Sequence, residues 1–215
     1  QRQMCIRDSH YTLDGSEPTA ASPRYTGPVE IGKSARFRAT ALREGGENAS
    51  YSREFAFSKS TGRPAVLNTK PNDSYTFEGA SLLVDGYHSR PVFTSGAWLG
   101  YLDEPLDVTI DMGGEQSYRS VELETLAEKG DWIFPPSSVT VWVSDNGTDF
   151  TEVASVAVPE AKAGDADGIG RYRMQFPETS ARYLKVVAQN AAAIPAWHPG
   201  AGSKGFLFVD EVVVE

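Results

Sequence analysis

Asp210 and Glu211 are the most suggestive carboxylates in the chain, because a paired acid and base is a common catalytic device. They lie in the run Val209–Val214, which reads as a terminal β-strand. Neighbouring strand residues point to opposite faces, so the pair is expected to diverge rather than act on one bond. The other carboxylates offer no better pair. His10, His88 and His198 lack metal-ligand spacing such as H-E-x-x-H. The serines lack the G-x-S-x-G elbow. The single cysteine, Cys5, makes neither an internal disulfide nor a cysteine-based zinc site. These residue types speak for recognition or structure rather than turnover.

Whatever such side chains do, β-strands must position them. Period-2 alternation recurs in short runs: Phe37, Ala39 and Ala41; Val108, Ile110 and Met112; Val139, Val141 and Val143; Tyr172, Met174 and Phe176. Trp142 is off-phase from its valine neighbours and is expected on the opposite face or on a strand buried on both sides. Turn signals punctuate the runs at Asp14-Gly15, Gly45-Gly46, Asp85-Gly86, Gly113-Gly114 and Asn146-Gly147. Residues 191–205, rich in Ala, Gly and Pro, read as a long ordered loop. A sustained helical period is absent. Many short strands at such spacing imply an all-β sandwich or barrel.

The 215 residues suit one large domain or two small ones. The polar stretch Ser58–Arg63 marks a boundary, leaving about 155 residues after it, enough for a full sandwich. Lys plus Arg count 20 against 29 for Asp plus Glu, a net charge of −9. That balance argues against a sequence-independent nucleic-acid binder and a polybasic membrane anchor. No apolar run approaches the roughly 20 residues that span a bilayer. No signal peptide is visible. Gln1–Ser9 (QRQMCIRDS) resembles translated sequencing-adapter read-through and is expected to be non-native.

Two stretches resemble known families. Tyr11-Thr12-Leu13-Asp14-Gly15-Ser16-Glu17-Pro18-Thr19, followed by Tyr25-Thr26-Gly27-Pro28 and Phe55-Ala56-Phe57, resembles the small Ig-like module that follows the barrel of chitobiases and β-hexosaminidases. That family has a strand before the Y-T motif, so residues 10–58 are expected to form a truncated Ig-like module. Residues 59–215 resemble the discoidin, or coagulation factor 5/8 type C, domain. The resemblance rests on Leu82–Gly86, Trp98–Tyr101 with Val108–Gly113, Val139–Phe150, Ala181–Val186 and Phe208–Val212. Asp131–Pro136 and Ile194–Gly202 are similar to the C-terminal discoidin domains of Bacteroidetes-like β-N-acetylhexosaminidases of glycoside hydrolase family 20. Phe206 stands where a Trp is expected. Some α-fucosidases carry similar accessory pairs.

The resemblance implies an all-β chain, a small truncated Ig-like β-sandwich module followed by a discoidin-like jelly-roll β-sandwich. It implies the bacterial, extracellular or periplasmic accessory part of a hydrolase. The catalytic barrel, which takes about 250 residues, is absent from this chain. It implies a structural Ca²⁺ held by Asp85 and Glu211, with Leu82 and Tyr87 as carbonyl donors, a reasonable oxygen shell for a hard cation. After Gly86 the sequence departs from the family, with Tyr87-His88-Ser89-Arg90 in place of the commoner Asn and Thr ligands. Carbohydrate binding, with N-acetylated glycans as the expected partner, needs aromatic platforms beside polar groups. Trp132, Trp197 and His198, with His88 and Arg90, are the candidates. Trp98 is expected in the core. The alternative is a structural domain that packs against the parent's catalytic domain and binds no sugar.

Overall fold

A computed structural model describes residues 8–42 and 49–215. Cys5 and most of the adapter-like segment lie outside the described residues, as does Gly45-Gly46. The chain divides into two compact units, one ending at Phe57 and the other running Ser58–Glu215. Among the described residues no helix is long and apolar enough to cross a membrane.

The first unit is a three-stranded antiparallel sheet of β1 (Asp8–Thr12), β2 (Ala35–Leu42) and β3 (Ala49–Phe55), in that order. Asp8 and Ser9 pair with Leu42 and Ala41. Alternation sorts the faces. Tyr11, Phe37 and Tyr51 gather on one side, with Tyr11 and Phe37 stacked at 5.8 Å and Phe37 and Tyr51 edge to face at 6.2 Å. Arg36, Arg38 and Glu54 share the other side with Thr40. The Asp14-Gly15 turn forms as expected: Asp14 accepts hydrogen bonds from the Ser16 amide and hydroxyl, and Gly15 adopts φ +82°. The described residues of this unit hold one layer of strands.

The second unit contains β4 (Ala65–Leu67), β5 (Leu99–Tyr101), β6 (Leu106–Ala127), β7 (Ser138–Ser144), β8 (Thr151–Ala157), β9 (Gly168–Gln189) and β10 (Leu207–Val214). Their order is β5-β10-β6-β9-β7-β8, with β4 on β6. The 22-residue strands β6 and β9 each serve two layers. Leu106–Asp111 of β6 pairs with β4 and with Tyr183–Ala188 of β9, which pairs onward with β7. Ser120–Ala127 pairs with Gly168–Gln175 of β9 and with β10. The ladder shifts register between Asp111 and Gln116. Gly113-Gly114, read as a turn between strands, is therefore a break inside one strand, with Gly113 at φ +80°.

The two layers enclose one core. Val108, Ile110 and Met112 of the first layer share it with Val121 and Leu123 of the second, and with Val139, Val141, Leu184, Val186, Val209, Val212 and Val214. A smaller cluster joins Trp98, Leu126, Ile133 and Phe208. Trp98 is fully buried, and its indole N–H donates to the Arg90 carbonyl at 3.0 Å. Trp142 is half-buried on the outer face, where the Lys185 ammonium lies 5.7 Å from its ring.

Candidate functional site

Two side-chain groups in the second unit stand out. The first is acidic and buried. Between Val209, which pairs with Thr125, and Val212, which pairs with Leu123, β10 has two residues where β6 has one. This β-bulge sets Asp210 and Glu211 together opposite Glu124. The expected divergence to opposite faces does not occur, because the alternation rule assumes a regular pleat. All three carboxylates are buried.

Each is held differently. Asp210 accepts from the Ser89 amide at 2.7 Å and the Ser89 hydroxyl at 3.1 Å. Burial, opposed by these bonds, pushes its carboxyl up to about 8. Glu124 Oε2 accepts from His88 Nδ1 and from Arg171 Nε, each at 2.9 Å. The Glu124 hydrogen bond raises the His88 imidazole above its usual range. Glu211 Oε1 accepts from the Gly86 amide at 3.3 Å, and Oε2 is buried with no partner. Burial first, then the charges of Asp85 and Asp210, push Glu211 up to about 10.

The Asp85-Gly86 turn brings the remaining candidates to this place. A 3₁₀ helix, Gly79–Val84, carries Leu82 and ends at Asp85. Asp85 Oδ1 accepts from the Tyr87 amide at 2.7 Å, and Gly86 takes φ +74°. Asp85 and Glu211 are thus neighbours, although 126 positions separate them. The residues fit a hard cation: a buried carboxylate oxygen lacks any partner, a second carboxylate stands beside it, and every donor is oxygen. Among the described residues, no three His, Cys, Asp or Glu side chains are grouped to hold a metal by themselves.

The second group is aromatic and sits where three loops meet. Lys129 is the hub. Its carbonyl accepts from the Trp132 amide at 3.0 Å and from His198 Nε2 at 2.9 Å. Its ammonium, nearly buried, donates to the Asp165 carbonyl and pairs with Asp167. Trp132 stands at φ +64°, an uncommon conformation for a bulky side chain. Trp132 is 43% exposed, and its ring packs on Gly200. Trp197 is 39% exposed, and its indole N–H donates to the Ala161 carbonyl at 2.9 Å. His198 lies between them, edge to face with Trp132 at 6.0 Å, Trp197 at 5.5 Å and Phe134 at 5.5 Å.

His198 itself presents nothing to a ligand. It is 8% exposed, Nε2 donates to Lys129, and Nδ1 accepts from the Gly200 amide at 3.0 Å. It is the post that fixes the two tryptophans. His88 and Arg90 join a different group: His88 faces Glu124, and the Arg90 carbonyl holds Trp98. The sequence-derived sugar set therefore splits, with Trp132 and Trp197 together as exposed rings. The roles of Lys129, Glu124 and Phe134 escaped sequence reasoning.

A cleft of about 350 Å³ opens beside Trp197, between residues 134–137, 158–161 and 191–196. Phe134, Pro136 and Ile194 are its buried walls.

With known proteins, residues 9–53 match the family described as chitobiase/beta-hexosaminidase C-terminal domain. No curated protein matches the chain. Similar solved structures include chitosan-binding module 1 of a chitosanase/glucanase from Paenibacillus sp. IK-5. It is 16% identical over 74% of this chain and 98% of that one, with a TM-score of 0.46. A fucose binding module of Streptococcus pneumoniae is 22% identical, over 74% of this chain and 94% of that one, at a TM-score of 0.45. The C-terminal domain of a chitobiase from Bacteroides fragilis is 18% identical, over 73% and 95%, also at 0.45. Residues 68–204 match the F5/8 type C domain, and as that match spans well over half of its length, the chain belongs to this family.

Proposed function

We propose that the second unit is a carbohydrate-binding module that holds a parent glycoside hydrolase at its substrate through Trp132 and Trp197. The observation that carries this is the pair of exposed indoles fixed from beneath by His198 and Lys129. A ring immobilised before binding loses little freedom on stacking against a sugar face. The chitobiase/β-hexosaminidase C-terminal match over residues 9–53 supports a β-N-acetylhexosaminidase as parent, acting outside the cytoplasm on N-acetylated glycans. This chain then supplies targeting, and the chemistry belongs to the parent's catalytic domain.

Asp85 and Glu211 would hold a Ca²⁺, with the carbonyls of Leu82 and Tyr87. A bound cation there would stitch the turn after the 3₁₀ helix to β10 and favour the ionised form of a carboxyl that burial otherwise keeps protonated.

Calorimetry of the full chain against GlcNAc-, GalNAc- and galactose-terminated glycans, with calcium present, tests the reading. Binding in the millimolar to micromolar range is expected, and Trp132→Ala or Trp197→Ala is expected to weaken it at least tenfold without unfolding the protein. No heat with any sugar from folded protein would favour the second reading. In that reading the apolar, proline-flanked surface around the two indoles packs against the parent's catalytic domain.

A further inference from the structure

We propose that the cleft beside Trp197 is the subsite for the N-acyl group of an amino sugar, an inference that rests on the glycan-binding reading above. Its volume, about 350 Å³, falls at the lower end of the range for small-ligand pockets. The walls are Phe134, Pro136, Ala193 and Ile194, with Ser137 and Glu160 as the polar side chains of the lining.

The donor and acceptor inventory selects the ligand. The Ser137 hydroxyl hydrogen goes to the Asn190 carbonyl at 2.8 Å, so towards the cleft this group offers lone pairs. Glu160 is exposed at the rim and, when ionised, only accepts. A fitting ligand therefore brings N–H or O–H donors together with an apolar group of small bulk. A carboxylate or sulfate would be repelled by Glu160. An acetamido sugar has that combination: hydroxyls and an amide N–H as donors, and a methyl that the alanine and isoleucine wall takes from water. The wall and the platform are also tied to one another. The Trp197 indole N–H donates to the carbonyl of Ala161, itself part of the cleft lining. A pyranose stacked on Trp197 would carry its substituent towards the same opening.

The test compares N,N′-diacetylchitobiose with cellobiose, which differ at the acetamido position, by calorimetry of the full chain. The unchanged protein is expected to prefer the acetylated disaccharide at least tenfold, the scale on which apolar pockets discriminate small groups. Ala193→Leu adds bulk to the apolar wall and is expected to reduce that preference severalfold. Glu160→Gln, at an exposed position that does not endanger folding, is expected to reduce it severalfold. Trp197→Ala is expected to weaken both sugars together. Equal affinity for the two disaccharides in the unchanged protein would overturn the subsite and leave the glycan-binding reading standing. A preference unmoved by both Ala193→Leu and Glu160→Gln would overturn it equally. Absence of binding to either sugar would overturn both readings.

Discussion

The acidic centre and the aromatic end use comparable numbers of functional side chains to opposite purpose. At the acidic centre, Asp210, Glu211 and Glu124 are buried, and their partners are protein groups: Ser89, Gly86, His88 and Arg171. At the aromatic end, His198, Lys129 and the Trp197 indole N–H are bonded within the protein, yet Trp132 and Trp197 keep about two-fifths of their surface in solvent. One place can act on stability and the other on recognition. The comparison shows that a residue's part follows from what remains free after the fold has used it, not from its type. His88 and His198 illustrate it: both are reasonable sugar ligands by type, yet His88 Nδ1 is taken by Glu124 and both ring nitrogens of His198 are directed at the protein.

The largest effect expected from that division is on stability, through the acidic centre. If calcium sits at Asp85 and Glu211, a concentration 100-fold above its dissociation constant adds about 2.7 kcal/mol. For a chain of this size that is a rise in Tm of roughly 5–10 °C. Scanning calorimetry with and without EDTA reads it directly. Glu211→Gln sharpens the test. It is expected to lose the calcium increment, yet to match or exceed the unchanged protein in EDTA, because an amide needs no proton taken up on folding, as the buried carboxyl does. Destabilisation by Glu211→Gln of equal size in both buffers would mean that the carboxylate has no metal to hold.

The pH dependence of the metal-free protein comes next. Asp210 and Glu211 stand at about 8 and about 10 in the fold, against ordinary values of 3.8 and 4.5. Between those limits the folded state binds more protons than the unfolded state. Stability is therefore greatest below the ordinary values and falls as pH rises towards the folded ones. His88, raised by its bond to Glu124, adds the same sign, its contribution present below 6.5 and lost above. One such group changes stability by about 1.4 kcal/mol per pH unit. In EDTA the Tm is expected to be higher at pH 5.5 than at pH 7.5, the reverse of the usual behaviour of paired carboxylates. Calcium is expected to flatten the slope. A metal-free Tm that rises over this interval would break the account of a strained acidic centre.

Much of this arrangement is legible in the sequence, for physical reasons. Alternation follows burial, so Val108, Ile110, Met112, Val139, Val141 and Val143 announce one sealed core. Asn146-Gly147 announces its turn, which Asn146 closes by accepting from the Thr148 and Asp149 amides. What stays hidden depends on departures from regular geometry. Gly113-Gly114 looks like a hairpin, but the strand bends there and continues into the second layer, a choice made by pairing partners more than 60 residues away. Asp210 and Glu211 look divergent until an unpaired residue in β10 turns both inwards. Trp132 and Trp197 announce themselves by type and flanking prolines. Their exposure depends on Lys129, whose contacts to residues 165, 167 and 198 no local pattern encodes.

The smallest expected effect separates the exposed platform from the buried wall beneath it. A methyl group built on Gly205 would lie 2.8 Å from Phe134 Cδ2, and one built on Gly200 would lie 2.9 Å from the Trp132 ring. The two clashes are alike in distance and differ in what can yield. Phe134 is buried and packs edge to face against the buried His198 ring. Gly205→Ala is therefore expected to cost about 1–3 kcal/mol, the range for overpacking a fixed interior. The Trp132 ring borders solvent and can swing aside. Gly200→Ala is accordingly expected to cost under about 1 kcal/mol, within the ordinary range of surface substitutions. The displaced ring would nevertheless no longer lie where His198 and Gly200 set it. Glycan affinity is expected to fall severalfold while Tm stays nearly constant. The two melting curves, with one titration of Gly200→Ala, decide the matter. A Tm loss for Gly200→Ala equal to that for Gly205→Ala would make Trp132 part of the packed interior rather than a platform.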